Sequence, residues 1–391
     1  MYFDIHIPVI ALSLLGVLFI FTLLLVTVYR SRLRLPVKCR ERREAESIDP
    51  SGSGFEPVSV VVYARDNSAR LEKLLDDLLN QDYSAGYEII VVNDSGGYAC
   101  SDVVTRLALT HNNLRMTFVP DKAHNLSRKK LAVTLGLKAA RNPFVLLLNA
   151  ECRLPSRLWL ANMVYNHCPV TLGQAVIAAD DDSQLPLMMR LDDANTAITW
   201  ISAAERRRPF RGNGYNMAYN ASTFFEHDGF SGSLNLQAGD DDLFINKITN
   251  ESNTCVALSA DSIVRITTSR PRELYRQLKI SHNFTGRSLP SHPAISLAPA
   301  VLWLSIFTAI ATAWLAYPNM IAIIASVLLL LIQWITLGIT WSKASKAVGL
   351  PLSGWQALPA LLWLPFHNLR YRMASRRNSS QHYTWQKQKK I

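Results

Sequence analysis

The sequence has no Cys-x-x-Cys pair, and its five cysteines (Cys39, Cys100, Cys152, Cys168 and Cys255) are odd in number and widely spaced. That argues against a zinc site and fits free thiols in a reducing compartment. Charge is missing in two places. Ile5 to Val28 has no Asp, Glu, Lys or Arg, and neither does the longer stretch from Ser288 to Ser342. Each run is long enough to cross a bilayer at about 1.5 Å of rise per helical residue. Tyr317-Pro318-Asn319 breaks the second run into two pieces of spanning length, which predicts a helical hairpin over 290–342 with Pro and Asn at its tip. No internal repeat or low-complexity block occurs, so an ordinary globular domain is expected between the membrane segments.

The net charge of +11 invites a nucleic-acid reading, but its distribution does not support one. Residues 30–44 hold seven basic and two acidic side chains, and residues 370–391 hold seven basic and none acidic. These two segments exceed the whole chain's charge, which leaves the remainder about one unit negative. Basic residues beside apolar runs set topology and attract anionic lipid head groups, whereas a phosphate-backbone binder needs them on the folded domain. The partners expected are therefore membrane lipids and not nucleic acid. Arg30 to Arg43 follow the first apolar run, and only the non-basic Met1 to Asp4 precede it. An uncleaved anchor (1–29) is expected in place of a signal peptide, followed by a basic linker (30–56) and a cytosolic domain. The placement expected is the cell (inner) membrane, multi-pass.

The domain spans about 57–285. Continuous apolar runs read as strands: "VSVVVY" from Val58, "YEIIVVND" from Tyr87, "LRMTFVP" from Leu114 and "FVLLLNAE" from Phe144. Helical spacing of Leu71, Leu74, Leu75, Leu78 and Leu79, and the stretch Lys129–Ala140, predict helices between them. Such alternation implies a parallel, Rossmann-like sheet covered on both faces, with ligands bound beyond the carboxyl ends of its strands. Arg65-Asp66, Asn93-Asp94 and Asn149/Glu151 all fall at strand ends and should face one crevice. The last apolar stretch, 350–369, is interrupted by Pro351, Pro359 and Pro365. An interfacial or re-entrant segment is expected there, with a third C-terminal span as the alternative, because crossing would place the basic tail (370–391) on the wrong side.

Three acidic clusters carry the chemistry. Asp94 lies in "VVNDSGG", where it also suits a plain turn. Asn149 and Glu151 end a strand two residues apart. Asp240, Asp241 and Asp242 precede an apolar helix start, where they also suit a cap. Taken together they suit a diphosphate bridged by a divalent cation through oxygen ligands, with a separate carboxylate to accept a proton.

The stretches "VSVVVYARDN", "YEIIVVNDSGG", "SRKKLAVTLGLKAARNPFVLLLNAECRLPS", "GNGYNMAYNASTFFEHDGF" and "AGDDDLFINKI" resemble, in order, the family 2 glycosyltransferases. These are membrane-associated inverting enzymes with a GT-A fold. The resemblance implies that Asp94 contacts the nucleotide base, with Arg65, Arg128, Lys129 and Ala150 also on the nucleotide-sugar side; Lys130 is a neighbour able to share that role. It implies that Glu151 and Asn149 hold the metal, Mn²⁺ or Mg²⁺. Asp241, beside Asp240, would be the catalytic base. Gly212, Gly214 and Asn216 would line the acceptor side, with Gln277 further on.

Two departures stand out. Asn149 begins a metal motif that usually begins with Asp, and the family's Gln-x-x-Arg-Trp motif is reduced to Gln277, with His282 downstream. The expected activity is a hexosyltransferase type of transfer, from a nucleotide-diphosphate sugar, UDP-linked by analogy, to a lipid-linked or polysaccharide acceptor, adding one sugar or few. Trp303 and Trp314 are expected to pack within the apolar segments. The alternative is an impaired GT-A scaffold that binds nucleotide or a partner without turnover.

Overall fold

A computed structural model describes residues 9–46, 48–49, 54–94, 98–120, 126–181, 183–317 and 319–377. Pro318, the loop after Asp94, much of the linker before residue 54 and the tail beyond residue 377 lie outside them. The chain divides into two units.

The larger unit contains the sheets. Its strands are β1 (Val58–Ala64), β2 (Tyr87–Asn93), β3 (Leu114–Phe118), β4 (Phe144–Asn149), β5 (Cys152–Arg153), β6 (Val170–Gly173), β7 (Ala175–Ala179), β8 (Met217–Asn220), β9 (Thr254–Ala257) and β10 (Val264–Thr268). Seven form one sheet in the order β3-β2-β1-β4-β8-β6-β9, and β5-β10-β7 form a smaller one. β3, β2, β1 and β4 are mutually parallel, and β8 runs antiparallel between β4 and β6. The unit is a mixed α/β fold with a mostly parallel central sheet.

The apolar strands are continuous because both faces are covered. Val58, Val60 and Val62 cluster with Leu71, Leu74, Leu75 and Leu78 of the helix Ser68–Leu79. Val61 points the other way, onto the helix Arg128–Ala139, where a Cβ added to Gly136 would stand 2.3 Å from Val61 Cγ1. Burying each such valine or leucine contributes about 1.5–3 kcal/mol. Glycine at 136 lets the helix lie flush on the sheet. Crossing back from β3 to β4, the helix begins at the strands' carboxyl edge, and its first residues are Arg128 and Lys129.

The cysteines correct one expectation. Cys39, Cys100 and Cys152 are buried free thiols, but Cys168 and Cys255 form a disulfide with Cα atoms 5.9 Å apart. Parallel pairing of β6 with β9 sets Thr171 opposite Cys255 and draws in the chain just before β6. A separation of 87 residues hides that pairing from the sequence.

The helical unit comprises the described parts of Met1–Lys38, Leu187–Ser202 and Ser291–Leu369. Three helices are long and apolar enough to cross a membrane: Val9–Ala45, Ala298–Leu315 and Met320–Ala347. Gln333 Nε2 donates to Thr22 Oγ1 at 2.7 Å, and Trp341 Nε1 to Tyr29 Oη at 2.8 Å, so buried polar groups pair between helices. Asn319 Oδ1 caps Met320–Ala347 through the N–H groups of Ile321 and Ala322. This helix runs past Ser342 through Lys343 and Lys346, whose long stems let the ammonium groups reach water. Trp303 stacks on Phe307 and donates to the Leu362 carbonyl at 2.9 Å, a packing role, whereas Trp314 is 76% exposed.

Two features differ from the sequence reading. Pro359 and Pro365 do not interrupt the last segment; both lie inside one helix, Gly354–Arg377. The helix Leu187–Ala204 falls within the stretch read as the soluble domain, yet its residues up to Ser202 belong to the helical unit. Ser202 Oγ donates to the Arg32 carbonyl at 2.7 Å.

Candidate active site

β1 is the spine of the site. Its end is flanked on both sides, with Ala64 opposite Asn93 and Tyr63 opposite Asn149. Asp94 N donates to the Ala64 carbonyl and Ala150 N to the Tyr63 carbonyl, both at 2.8 Å. Asp94 and the Asn149–Glu151 stretch therefore leave the sheet side by side at one carboxyl edge, where the strand order reverses about β1. Asp94 is buried; it accepts from Tyr63 Oη at 2.7 Å and pairs with Arg128. Burial, then the charge of Asp94, pushes the Tyr63 hydroxyl above its ordinary value, so it remains a donor. Exposed Arg65 lies at the same strand end, 3.7 Å from Asp66.

Three consecutive aspartates close the other side, each with a different partner. Asp240 pairs with Lys129 at 2.6 Å. Asp241 Oδ2 lies 3.4 Å from His282 Nε2. Asp242, fully buried, receives Arg211 at 3.0 Å, the Thr285 hydroxyl and the Leu243 N–H. Burial opposes ionisation of Asp241, but the His282 contact and the charges of Arg211 and Lys129 outweigh it and hold the carboxyl below its usual range. Burial and the adjacent Asp241 charge raise Asp242. Burial also works against the Lys129 charge, and Asp240 overcomes it, so Lys129 is held above the ordinary lysine value. Lys129 Nζ stands 5.2 Å from the Tyr215 ring centroid.

Gly214 explains how close these groups come. A Cβ there would stand 3.1 Å from Lys129 Nζ, 3.1 Å from Asp241 Cβ and 3.2 Å from Asp240 Oδ2. Gly212 N donates to the Asp241 carbonyl at 2.7 Å, so its backbone fixes the aspartate loop. The strand ends and the aspartate loop are thus joined through Arg128, Lys129, Tyr63 and Tyr215.

Residues 59–228 match the family model described as glycosyl transferase family 2. The matched segment is less than half of the chain and is similar to the family 2 glycosyltransferases. No curated protein matches the chain. Among solved structures, a mannosyltransferase, PcManGT from Pyrobaculum calidifontis, in complex with GDP-Man and Mn²⁺, is 17% identical. The overlap covers 92% of this chain and 98% of that one, with a TM-score of 0.49. TarS from S. aureus is 16% identical over 83% of this chain and 55% of its own, with a TM-score of 0.40. TarS 1-349 in complex with UDP-GlcNAc is 16% identical over 84% of this chain and 92% of that one, with a TM-score of 0.37. Similarity at this level assigns no substrate.

Within the larger unit, several residues expected at the site serve the scaffold. Asn216 is fully buried; its amide donates to the Gln174 and Ser262 carbonyls at 2.8 and 2.7 Å and accepts from Trp159. Ala150 is buried, with its N–H engaged by Tyr63. Lys130 is buried and donates to Ser233 and to the Ala238 carbonyl, which anchors the segment before the aspartates; burial lowers it to about 8. Gln277 is exposed and contacts Glu273 on its own helix, Pro271–Thr285. From that helix it is His282, not Gln277, that reaches Asp241. Tyr63, Tyr215, Arg211 and Thr285 were not anticipated. Tyr63 alone left a trace, as the one polar side chain near the end of an otherwise valine-rich strand.

The metal expectation rests on two oxygen donors. Asn149 is buried at the end of β4, and the carboxylate of the half-buried Glu151 makes no hydrogen bond or ion pair among the described residues. No group of three His, Cys, Asp or Glu able to hold an ion occurs among the described residues. One carboxylate and one amide fit a hard cation that keeps waters and takes the rest of its shell from substrate phosphates, and they do not fit a closed protein cage.

Proposed function

We propose that the α/β domain transfers a sugar, with inversion, from a nucleotide-diphosphate sugar to a lipid-linked or polysaccharide acceptor at the cytosolic membrane face. The carrying observation is that adjacent residues at one helix start, Arg128 and Lys129, pair with Asp94 and Asp240, beside the strand end that carries Asn149–Glu151. Asp94 and Tyr63 bind the nucleotide end, and Arg128 and Lys129 lie where the diphosphate must pass. Asp241 takes the proton from the acceptor hydroxyl. That oxygen attacks the anomeric carbon from the face opposite the diphosphate, and the bond to the diphosphate oxygen breaks. Glu151 and Asn149 would hold a divalent ion, Mn²⁺ or Mg²⁺; when bound it supplies positive charge against the departing diphosphate.

A carboxylate held so low is a weak base. Donor diphosphate competing for Lys129 removes part of the field that depresses Asp241 and raises its basicity at the moment it is needed. The basic residues from Arg30 to Arg43, in the second half of Val9–Ala45, support a cytosolic position for the domain. Trp355, Trp363, Phe366, Leu369 and Met373 form an exposed apolar stripe on Gly354–Arg377, which supports an interfacial position for that helix.

The test is release of nucleoside diphosphate by the purified full chain, in detergent, given a panel of nucleotide-sugars and acceptors with Mn²⁺ or Mg²⁺. Turnover with one donor, lost in Asp241→Ala, is the expected result. A second reading, a nucleotide-binding scaffold, is favoured by the amide at Asn149. Nucleotide binding indifferent to divalent ions, with no turnover on any acceptor, would establish it.

A further inference from the structure

A separate cavity of about 720 Å³ opens between the start of the Ser68–Leu79 helix and the small sheet β5-β10-β7. Arg70, Lys73, Arg153 and Arg265 line it, against one lining carboxylate, Asp180. Arg70 pairs with Asp180 at 2.6 Å, and Arg153 grips Asp77 through two contacts of 2.7 and 2.9 Å. Lys73 is exposed and has no ion-pair partner among the described residues. Arg265 on β10 stands directly opposite Arg153 on β5, an antiparallel pair of like charges. Like charges facing each other across a ladder are destabilising. With Asp77 counted beside Asp180, four cations meet two carboxylates, and that formal excess of positive charge suits an anion of more than one charge.

Its position gives that anion a role. Thr267, another lining residue, donates to the Glu151 carbonyl from both its N–H (2.9 Å) and its hydroxyl (3.0 Å), and Arg153 follows Glu151 by two residues. The cavity therefore adjoins the Asn149–Glu151 stretch from the small sheet, whereas Asp94, Arg128 and Lys129 approach it from the large one. We propose that this cavity binds the phosphate or diphosphate group of the acceptor. Assignment to the acceptor rests on the glycosyl-transfer reading; binding of the phosphate does not. Guanidinium forks match phosphate oxygens bidentately, and a group with two or three negative charges answers the excess of positive lining charge better than a single carboxylate would.

The experiment titrates inorganic pyrophosphate into the full chain in detergent by calorimetry. The background is Lys129→Ala, which removes one of the two donor-side cations and leaves Arg128 paired with Asp94. Lys73→Glu combined with Arg265→Glu changes only exposed side chains, and thermal unfolding checks that the fold is kept. The expected result is pyrophosphate binding in the Lys129→Ala background that weakens at least roughly tenfold on charge reversal. In the otherwise unaltered chain, nucleoside diphosphate affinity should be unchanged by the same pair. Equal pyrophosphate affinity with and without charge reversal overturns the proposal, as does nucleotide affinity that falls in parallel. A polyprenyl diphosphate in the same micelles, or a soluble glycan phosphate, is then used to displace pyrophosphate; the one that competes identifies the carrier, and competition by neither overturns the acceptor assignment. If no nucleotide-sugar turns over while pyrophosphate binding remains sensitive to charge reversal, the transfer reading fails and the anion cavity stands.

Discussion

The strand-end side of the crevice and its aspartate side are held by different forces. Asp94, Asn149 and Ala150 hang from β2 and β4, whose apolar residues are buried and whose register with β1 is set over six or seven residue pairs. Asp240, Asp241 and Asp242 stand on irregular chain and are secured by Lys129, His282 and Arg211. Apolar burial is spread over many atoms and degrades gradually. A buried ion pair fails at once when one partner is removed, because the other is left charged and unpaired. The strand side should therefore tolerate substitution, and the aspartate side should not.

The sharpest challenge to this contrast is Asp241→Ala. It should lower kcat by roughly 10²–10⁴-fold with the fold intact by circular dichroism, as expected on loss of a general base. Activity within about threefold of wild type would remove the assignment. Asp242→Ala should leave activity hard to measure for another reason: Arg211 stays buried without its partner, at a cost of about 3–5 kcal/mol in denaturant unfolding. A loss below about 1 kcal/mol would show that the aspartate side is no more brittle than the strand side.

On the strand side, Gly136→Ala should cost about 1–3 kcal/mol by overpacking against Val61. It should also weaken nucleotide binding as Arg128 and Lys129 move. Gly214→Ala crowds Lys129 and Asp241 without touching the core, so it should lower kcat about tenfold and leave the unfolding midpoint nearly unchanged. The smallest effect is on pH dependence. Asp241 titrates below its ordinary 3.8, so the acid limb of kcat/KM attributable to it should lie below that pH. His282→Ala removes a contact that favours the charged form and should move the limb upward by roughly one pH unit. An unmoved limb would show that His282 does not tune Asp241.

The legible part of the fold is the part built from long, doubly covered strands. β1, β2 and β4 could be read because each buries most of a run of six or seven residues; β3, with Leu114 alone buried, and the helices Ser68–Leu79 and Arg128–Ala139 were read from pattern, and the helix Ala99–Ala108 was not. β5 to β10 were not read, being two to five residues long, and a run that short carries no periodicity of its own. The same limit fell on the site. Asp94 and Asn149–Glu151 could be placed because they end readable strands. The division of labour among Asp240, Asp241 and Asp242 could not be, since three identical neighbours differ only in what distant chain brings to them. Asn216 and Lys130 show the converse, polar residues in suggestive positions whose side chains are engaged by backbone carbonyls.

Composition and pattern alone settled that this chain joins apolar helices to an α/β domain, because bilayer thickness and the covering of a parallel sheet leave few alternatives for such runs of residues. Folding decided which charges meet. Lys129, Arg211 and the neighbours His282 and Thr285 come from three distant parts of the chain, and Arg153 and Arg265 also lie far apart. Coulomb energy depends on separation in space, and only the packed backbone sets that separation.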